Sequence, residues 1–267
     1  MVTLKKLMNL ENKTILITGA TGGLGQIFSK TLAEMGANLL LVDMPGSNYK
    51  DLVDELTGTW GVTVQTFDCD LESQQERETL VELVKQQTDS LDVLINNAAF
   101  VGTSDLDGWT TDFEEQSVAT WRRAFEVNLT AAFDLSKALT PMLKYGNGGC
   151  IINISSIYGI YGPDYRLYED TLMGNSAAYA ASKGGLTQLT RWLSTTLAPE
   201  IRVNTISPGG VFRNQPEKFV ERYEARTPMK RMATEDDFRG AIAYLASDLS
   251  SYVTGHDLVV DGGWGAW

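Results

Sequence analysis

Hydrophobic positions in this chain fall into two alternating patterns. Short runs rich in isoleucine, leucine and valine occur at Thr14 to Thr18, Asn38 to Asp43, Thr63 to Asp68, Val93 to Asn96, Cys150 to Ser155, Arg202 to Ile206 and Leu258 to Val260. Runs this short and apolar predict strands buried on both faces. Between the first two, Leu24, Ile27, Phe28, Thr31, Leu32 and Met35 follow the three-and-four spacing of one helix face, with Gly36 placed to end the helix. A longer periodic stretch, Val118 to Lys144, carries Trp121, Phe125, Leu129, Ala132, Phe133 and Leu139, and Pro141 is expected to disturb its end. Strand alternating with helix predicts an α/β fold: one doubly wound Rossmann domain over residues 1–267, with a seven-stranded parallel sheet and helices on both faces.

Two stretches fit neither pattern, Phe100 to Gln116 and Gly159 to Ser176. Each follows the C-terminal end of an expected strand, the edge at which open α/β sheets bind ligands. Together with the segment near 209–230 they are expected to form the substrate loops.

Composition narrows the function. The chain has 267 residues, 43% hydrophobic and 21% charged, enough for a sizeable core. A net charge of −12 and a pI near 4.6 argue against nucleic acid or an anionic membrane as the main partner. No run is long enough to span a membrane, and the N-terminus lacks the apolar core of a signal peptide, so a cytoplasmic location is expected. Cys69 and Cys150 read as packing residues in buried strands, and the single His256 as a turn residue, so no metal is expected.

The chemistry concentrates at three places. Thr18 to Gly25 reads Thr-Gly-Ala-Thr-Gly-Gly-Leu-Gly, a glycine-rich turn leading from strand to helix. Such a turn lets backbone approach a pyrophosphate, and the helix N-terminus adds free N–H groups and partial positive charge. Its spacing, Gly19-x-x-x-Gly23-x-Gly25, departs from the general G-x-G-x-x-G pattern. Asp43 ends the second strand, where a carboxylate accepts from an adenosine ribose and repels a 2′-phosphate, which favours NAD over NADP; it could instead start a turn with Pro45 and Gly46. Finally, Tyr179 and Lys183 stand four positions apart in a helical stretch and share a face. A phenol titrates near pH 10, and an ammonium at about 4 Å in a partly screened site offers roughly 4 kcal/mol, enough to make the phenol an acid/base at neutral pH.

These landmarks resemble, in order and over almost the whole chain, the short-chain dehydrogenase/reductase family. They are the turn at 18–25, Asp70 after the third strand, Asn96-Asn97-Ala98-Ala99 after the fourth, Asn128, Ser156, Tyr179-x-x-x-Lys183, and Ser207-Pro208-Gly209 after the sixth. Ala99 stands where the family usually has glycine. The resemblance implies a catalytic set of Asn128, Ser156, Tyr179 and Lys183. Ser156 would bind the substrate oxygen, Tyr179 would exchange its proton, Lys183 would contact the nicotinamide ribose and depress the tyrosine pKa, and Asn128 would hold a water. It further implies a dinucleotide held by Gly19, Gly23, Leu24, Gly25, Asp43, Asp70, Leu71, Asn97, Ala98, Tyr179, Lys183, Pro208, Gly209 and Val211. Of the adjacent serines, alternation lets only one face the site, and the resemblance selects Ser156 over Ser155.

Tyr179 follows Ser156 by 23 positions, a longer interval than the family commonly has. The added piece carries Tyr161, Asp164, Tyr165, Arg166 and Tyr168 and is expected to cover the substrate side, with Tyr165, Arg166 and Arg213 as candidate contacts. None of Tyr158, Tyr161, Tyr165 or Tyr168 has a lysine four residues on, so none rivals Tyr179. Arg166, Arg213 and Arg226 could meet a phosphate or carboxylate. The active-site loops resemble a bacterial subgroup linked to flagellin glycosylation and nonulosonic sugar synthesis, which implies a sugar phosphate, amino-sugar or nucleotide sugar, with a polyol as nearest rival. The resemblance implies that the aromatic tail with Trp264 and Trp267 joins subunits as a homotetramer, with a dimer as the alternative; both tryptophans could instead pack on their own domain. Other functions to be weighed are a dinucleotide-sensing binding protein and an epimerase or dehydratase with retained NAD.

Overall fold

The computed structural model describes residues 2–101, 106–145 and 148–267. The strands are β1 Thr14–Thr18, β2 Asn38–Asp43, β3 Val64–Asp68, β4 Val93–Asn96, β5 Gly149–Ile154, β6 Ile201–Pro208 and β7 Asp257–Val260. The helices are α1 Leu4–Met8, α2 Gly23–Glu34, α3 Lys50–Trp60, α4 Gln74–Gln87, α5 Val118–Phe125, α6 Ala131–Tyr145, α7 Ala177–Leu197, α8 Glu217–Arg226 and α9 Arg239–Ala246. All seven expected strands form, with ends shifted by at most two residues. They pair in parallel as one sheet, ordered β3-β2-β1-β4-β5-β6-β7.

Strand alternation sends β1 side chains to two cores. Ile15 and Ile17 join Phe28, Leu32, Ile242 and Leu245 on the face covered by α2, α3 and α9. Leu16 joins Leu80, Leu135, Leu139 and Leu193 on the opposite face, under α4, α6 and α7. Phe28, Thr31 and Leu32 are buried as the periodicity of α2 requires, and Gly36 leaves the helix at φ +94°, where a side chain would be strained.

The order reverses between β1 and β4: the chain winds outward through β2 and β3, then returns to β1's other side. The crevice at the carboxyl ends of β1 and β4 is the switch point where such sheets bind ligands.

Several expectations are corrected. The long helix is two, α5 and α6, joined by a π turn over Glu126–Thr130, and Pro141 lies inside α6, which runs on to Tyr145. Trp121 and Phe133, counted as part of a buried stripe, are exposed. Cys69 is buried but lies one residue beyond β3, whereas Cys150 is within β5. The segment 159–176 is a packed excursion containing a short 3₁₀ turn at Tyr165–Leu167, and its Leu167 is buried with Phe219, Tyr223 and Trp264. Trp264 is therefore core of its own subunit, stacked near Tyr223, while Trp267 is exposed with its indole donating to the Arg226 carbonyl. Of the expected loop at 100–116, residues 102–105 lie outside the described residues.

Candidate active site

The glycine turn is held open by its neighbours. Gly19 has φ +64°, and a Cβ there would sit 2.8 Å from the Ala98 Cα. The Asn97 side chain donates to the carbonyls of Thr18 and Gly19 at 2.9 and 3.0 Å, fastening the turn after β1 to the turn after β4. A Cβ on Gly25 would overlap the Gly19 carbonyl oxygen, so the helix can start this close to the strand only with glycine. No side chain caps α2 and its first turn carries no acid. Open amides, positive dipole end and close backbone approach are what a pyrophosphate needs, and the turn fits a dinucleotide.

Flanking residues line the same crevice. Asp43 accepts from both the backbone N–H and the hydroxyl of Thr21, each at 2.7 Å, bracing the glycine turn, and it also leads into the Pro45–Gly46 turn, accepting from the Met44 N–H at 2.8 Å. Asp70 accepts from the Glu72 N–H at 2.9 Å, and the buried Leu71 gives its carbonyl to Arg77. Leu24 packs against the core. At the other end, Pro208 closes β6, Gly209 donates to the Val260 carbonyl, and Val211 bridges to Ala233.

Tyr179 is positioned by a helix cap. Ser176 precedes α7 in extended conformation and accepts from the Tyr179 N–H at 3.2 Å, setting the tyrosine in the first turn and Lys183 one turn on. The serines separate as alternation requires. Ser155 turns into the core, donating to the Lys183 carbonyl at 2.9 Å, while Ser156 lines the same cavity as Tyr179.

The fourth member of the expected set, Asn128, lies buried in the π turn. Its carbonyl oxygen accepts from the Phe100 N–H at 2.6 Å, and its amide donates to the Ser182 hydroxyl at 3.0 Å. Its side chain thus pins the strand after β4 to α7 and has both ends engaged.

The lysine has a partner that its spacing from Tyr179 does not reveal. Its ammonium donates to the Ile154 carbonyl at 2.7 Å and lies 5.9 Å from the centroid of the tyrosine ring. Burial lowers the Lys183 pKa to about 8. Burial also pushes the Tyr179 phenol up from its usual value, opposed by the nearby Ser156 hydroxyl and the charge of Arg213.

A cavity of about 240 Å³ opens beside Ser156 and Tyr179. Its wall includes Trp109, Tyr158, Tyr168, Asn175, Phe219 and Tyr223, drawn from all three expected substrate loops. Tyr165 and Arg166 are not on it: both are exposed, and Arg166 makes a two-pronged pair with Asp164. Arg213 turns toward the glycine turn, where a Cβ on Gly23 would meet its guanidinium, and pairs with Glu235 at 3.2 Å. Arg226 lies over the Trp264 ring and also reaches Asp164. Among the described residues no arginine lines the cavity. The lining aromatics that sequence missed did carry a signal: Phe219 and Tyr223 stand four apart on α8 and face one way.

A dinucleotide-shaped crevice at a Rossmann switch point, opening on a phenol and a serine in one cavity, defines a nicotinamide-type oxidoreductase fold and site. Comparison with known proteins agrees. A family model described as enoyl-(acyl carrier protein) reductase matches residues 19–265. The post-translational flagellin modification protein A of Campylobacter coli is 30% identical over 257 residues, covering 96% of this chain and 99% of that protein. A crystal structure of a putative NAD(P)-dependent gluconate 5-dehydrogenase from Beutenbergia cavernae, with bound NADP, superposes with a TM-score of 0.85 at 30% identity, covering 98% of this chain and 100% of that one. A short-chain dehydrogenase from Leptospira borgpetersenii with bound NAD⁺ does so at 0.83 and 30% identity, covering 99% and 97%. The chain belongs to the short-chain dehydrogenase/reductase family and is an oxidoreductase enzyme that uses NAD(P).

Proposed function

We propose that the protein is an NAD-dependent dehydrogenase that interconverts a secondary alcohol and a ketone on a neutral, polyhydroxylated, sugar-derived substrate. The observation that carries this reading is the Tyr179 phenol and the Ser156 hydroxyl on the wall of one cavity that also takes in Gly209 and Gly210.

In oxidation Ser156 donates a hydrogen bond to the substrate oxygen, and Tyr179, as phenolate, takes the hydroxyl proton. In reduction the phenol returns it. A bound nicotinamide supplies the hydride acceptor or donor. Lys183 holds the end of β5 and stands behind the tyrosine ring. Asn128 fixes the distance between Phe100 and α7, and so the depth of the cavity. The pyrophosphate would rest on the turn from Gly19 to Gly25 and meet Arg213 from above. Asp43 would take the adenosine ribose hydroxyls and reject a 2′-phosphate, which supports NAD over NADP. Asp70, Leu71, Asn97 and Ala98 would flank the adenine half, and Pro208, Gly209 and Val211 the nicotinamide half.

Cavity chemistry narrows the substrate. Without a lining arginine it offers nothing to pair a phosphate or carboxylate, while Tyr158, Tyr168, Asn175 and Gln215 offer neutral hydrogen bonds. A sugar alcohol or neutral amino-sugar fits better than a sugar phosphate or nucleotide sugar.

The test is reduced-nicotinamide absorbance with NAD or NADP and a panel of polyols, sugars, amino-sugars and sugar phosphates. Tyr179→Phe should lower turnover by on the order of 10² to 10⁴ with little change in dinucleotide binding. Undiminished turnover in that variant would overturn the acid/base role. Bound dinucleotide with substrate conversion but no net absorbance change would point instead to an epimerase.

A further inference from the structure

We propose that Asn175, with the Tyr158 and Tyr168 phenols, forms a second substrate subsite selective for a hydroxyl or N–H group that the substrate carries away from its reacting carbon. This rests on the dehydrogenase reading and specifies what else its substrate must contain.

The starting observation is an orphan. The Asn175 side-chain oxygen is fully buried and has no hydrogen-bond partner, although its residue lines the cavity next to Tyr179. Buried amide oxygens are seldom left so, and an exception calls for a missing donor.

The neighbouring phenols complete the subsite. The Tyr158 and Tyr168 hydroxyl oxygens are 2.5 Å apart, so one proton lies between them. Whichever phenol donates across that contact, the other keeps a hydroxyl proton to give. Both Tyr158 and Tyr168 line the cavity. The subsite therefore presents one acceptor, the Asn175 oxygen, and one donor, an O–H of the phenol pair. A substrate hydroxyl, which both gives and accepts, satisfies the two together.

Its surroundings sharpen the selection. Trp109, Phe219 and Met232 make the adjoining wall apolar, so a substrate lacking the group would leave the amide oxygen buried and unpaired. All three polar residues belong to the long interval between Ser156 and Tyr179, the part of this chain that exceeds its family's usual length.

The experiment compares kcat/KM for cyclohexanol with those for the cis and trans 1,2-, 1,3- and 1,4-cyclohexanediols. At least one diol should exceed cyclohexanol by about 10- to 100-fold in the native enzyme. Asn175→Leu, which keeps the shape and removes the acceptor, should collapse that ratio to about threefold or less, and Tyr168→Phe, which removes one hydroxyl of the phenol pair, should lower it partway. Dinucleotide binding reports that each variant is folded. Equal rates across the panel, or a ratio unmoved by Asn175→Leu, overturn the subsite and leave the dehydrogenase intact. Should no ring alcohol be oxidised, calorimetric titration of the same compounds into NADH-saturated protein decides. A preferred diol whose affinity falls in Asn175→Leu sustains the subsite and sinks only the dehydrogenase reading, whereas no preference, or no binding, overturns the subsite.

Discussion

At the scale of single residues the site turns on how two buried groups share their protons. Burial raises the Tyr179 phenol, while Ser156 and the Arg213 cation favour its ionised form. Alcohol oxidation, which needs the phenolate, should therefore quicken as pH rises into the alkaline range, and ketone reduction should hold until that range is reached. Arg213→Gln withdraws a cation that stabilises the phenolate, so the oxidation limb should move to higher pH; a limb that moved lower would contradict the electrostatic account. Lys183 contributes a separate stability term. Its pKa falls from 10.5 to about 8 on burial, so between those values the unfolded chain binds more protons. This group's contribution to stability should accordingly rise as pH climbs through that window and be lost below about 8. Asp43 supplies a third residue-scale expectation. Asp43→Asn removes the charge facing a 2′-phosphate, so the ratio of NADPH to NADH dissociation constants should drop by about tenfold, read by nicotinamide fluorescence. Binding of NADH should also weaken, because Thr21 loses a charged acceptor.

Between elements, one buried cation joins the adenine side to the substrate side. Arg77 of α4 is 3% exposed, donates to the Leu71 carbonyl, and pairs with Glu126 in the π turn and Asp134 on α6 at 2.8 and 2.9 Å. The loop after β3 and the turn that carries Asn128 are thus fixed to one guanidinium. Arg77→Met would leave the Leu71 carbonyl without its donor, while both carboxylates, each about one-third exposed, rehydrate in part. The expected cost is about 2 kcal/mol. That corresponds to a Tm lower by roughly 4 to 8 °C in a thermal melt. The same change should loosen dinucleotide binding, and a variant with unchanged Tm would remove Arg77 from this role.

For the whole molecule, the sheet order sets the ligand crevice, and the outer helices set how copies would meet. Helices α5 and α7 pack on one another, and with α6 they leave Trp121, Phe133 and Trp192 exposed. We propose this face as one contact between copies of the chain in the expected homotetramer. Light scattering should give about four times the 29.3 kDa chain mass, and Trp192→Glu should lower it. A monomeric native protein would refute the assembly. Among the described residues no helix is long and apolar enough to cross a membrane.

The chain's hydrophobic pattern was enough to find all seven strands and the first crossover helix, because burial on both faces of a parallel sheet imposes a continuous apolar run. Glycines in the turn at 18–25 were equally legible, since backbone close to backbone admits no side chain. Less was visible wherever a residue's neighbour comes from far along the chain. The π turn at Asn128, the bond from Lys183 to Ile154 and the meeting of Tyr158 and Tyr168 depend on hydrogen bonds across elements. Arg166 and Tyr165 drew attention by type, but Asp164 and solvent claim them; Phe219 and Tyr223 reach the cavity only because α8 folds back over it. Sequence by itself determined the sheet, the glycine turn and the Tyr179–Lys183 spacing, for these follow from local periodicity and sterics. Tertiary structure alone decided which side chains wall the cavity and which carbonyl the Lys183 ammonium meets, because those outcomes are set by competition among partners that meet only in the folded chain.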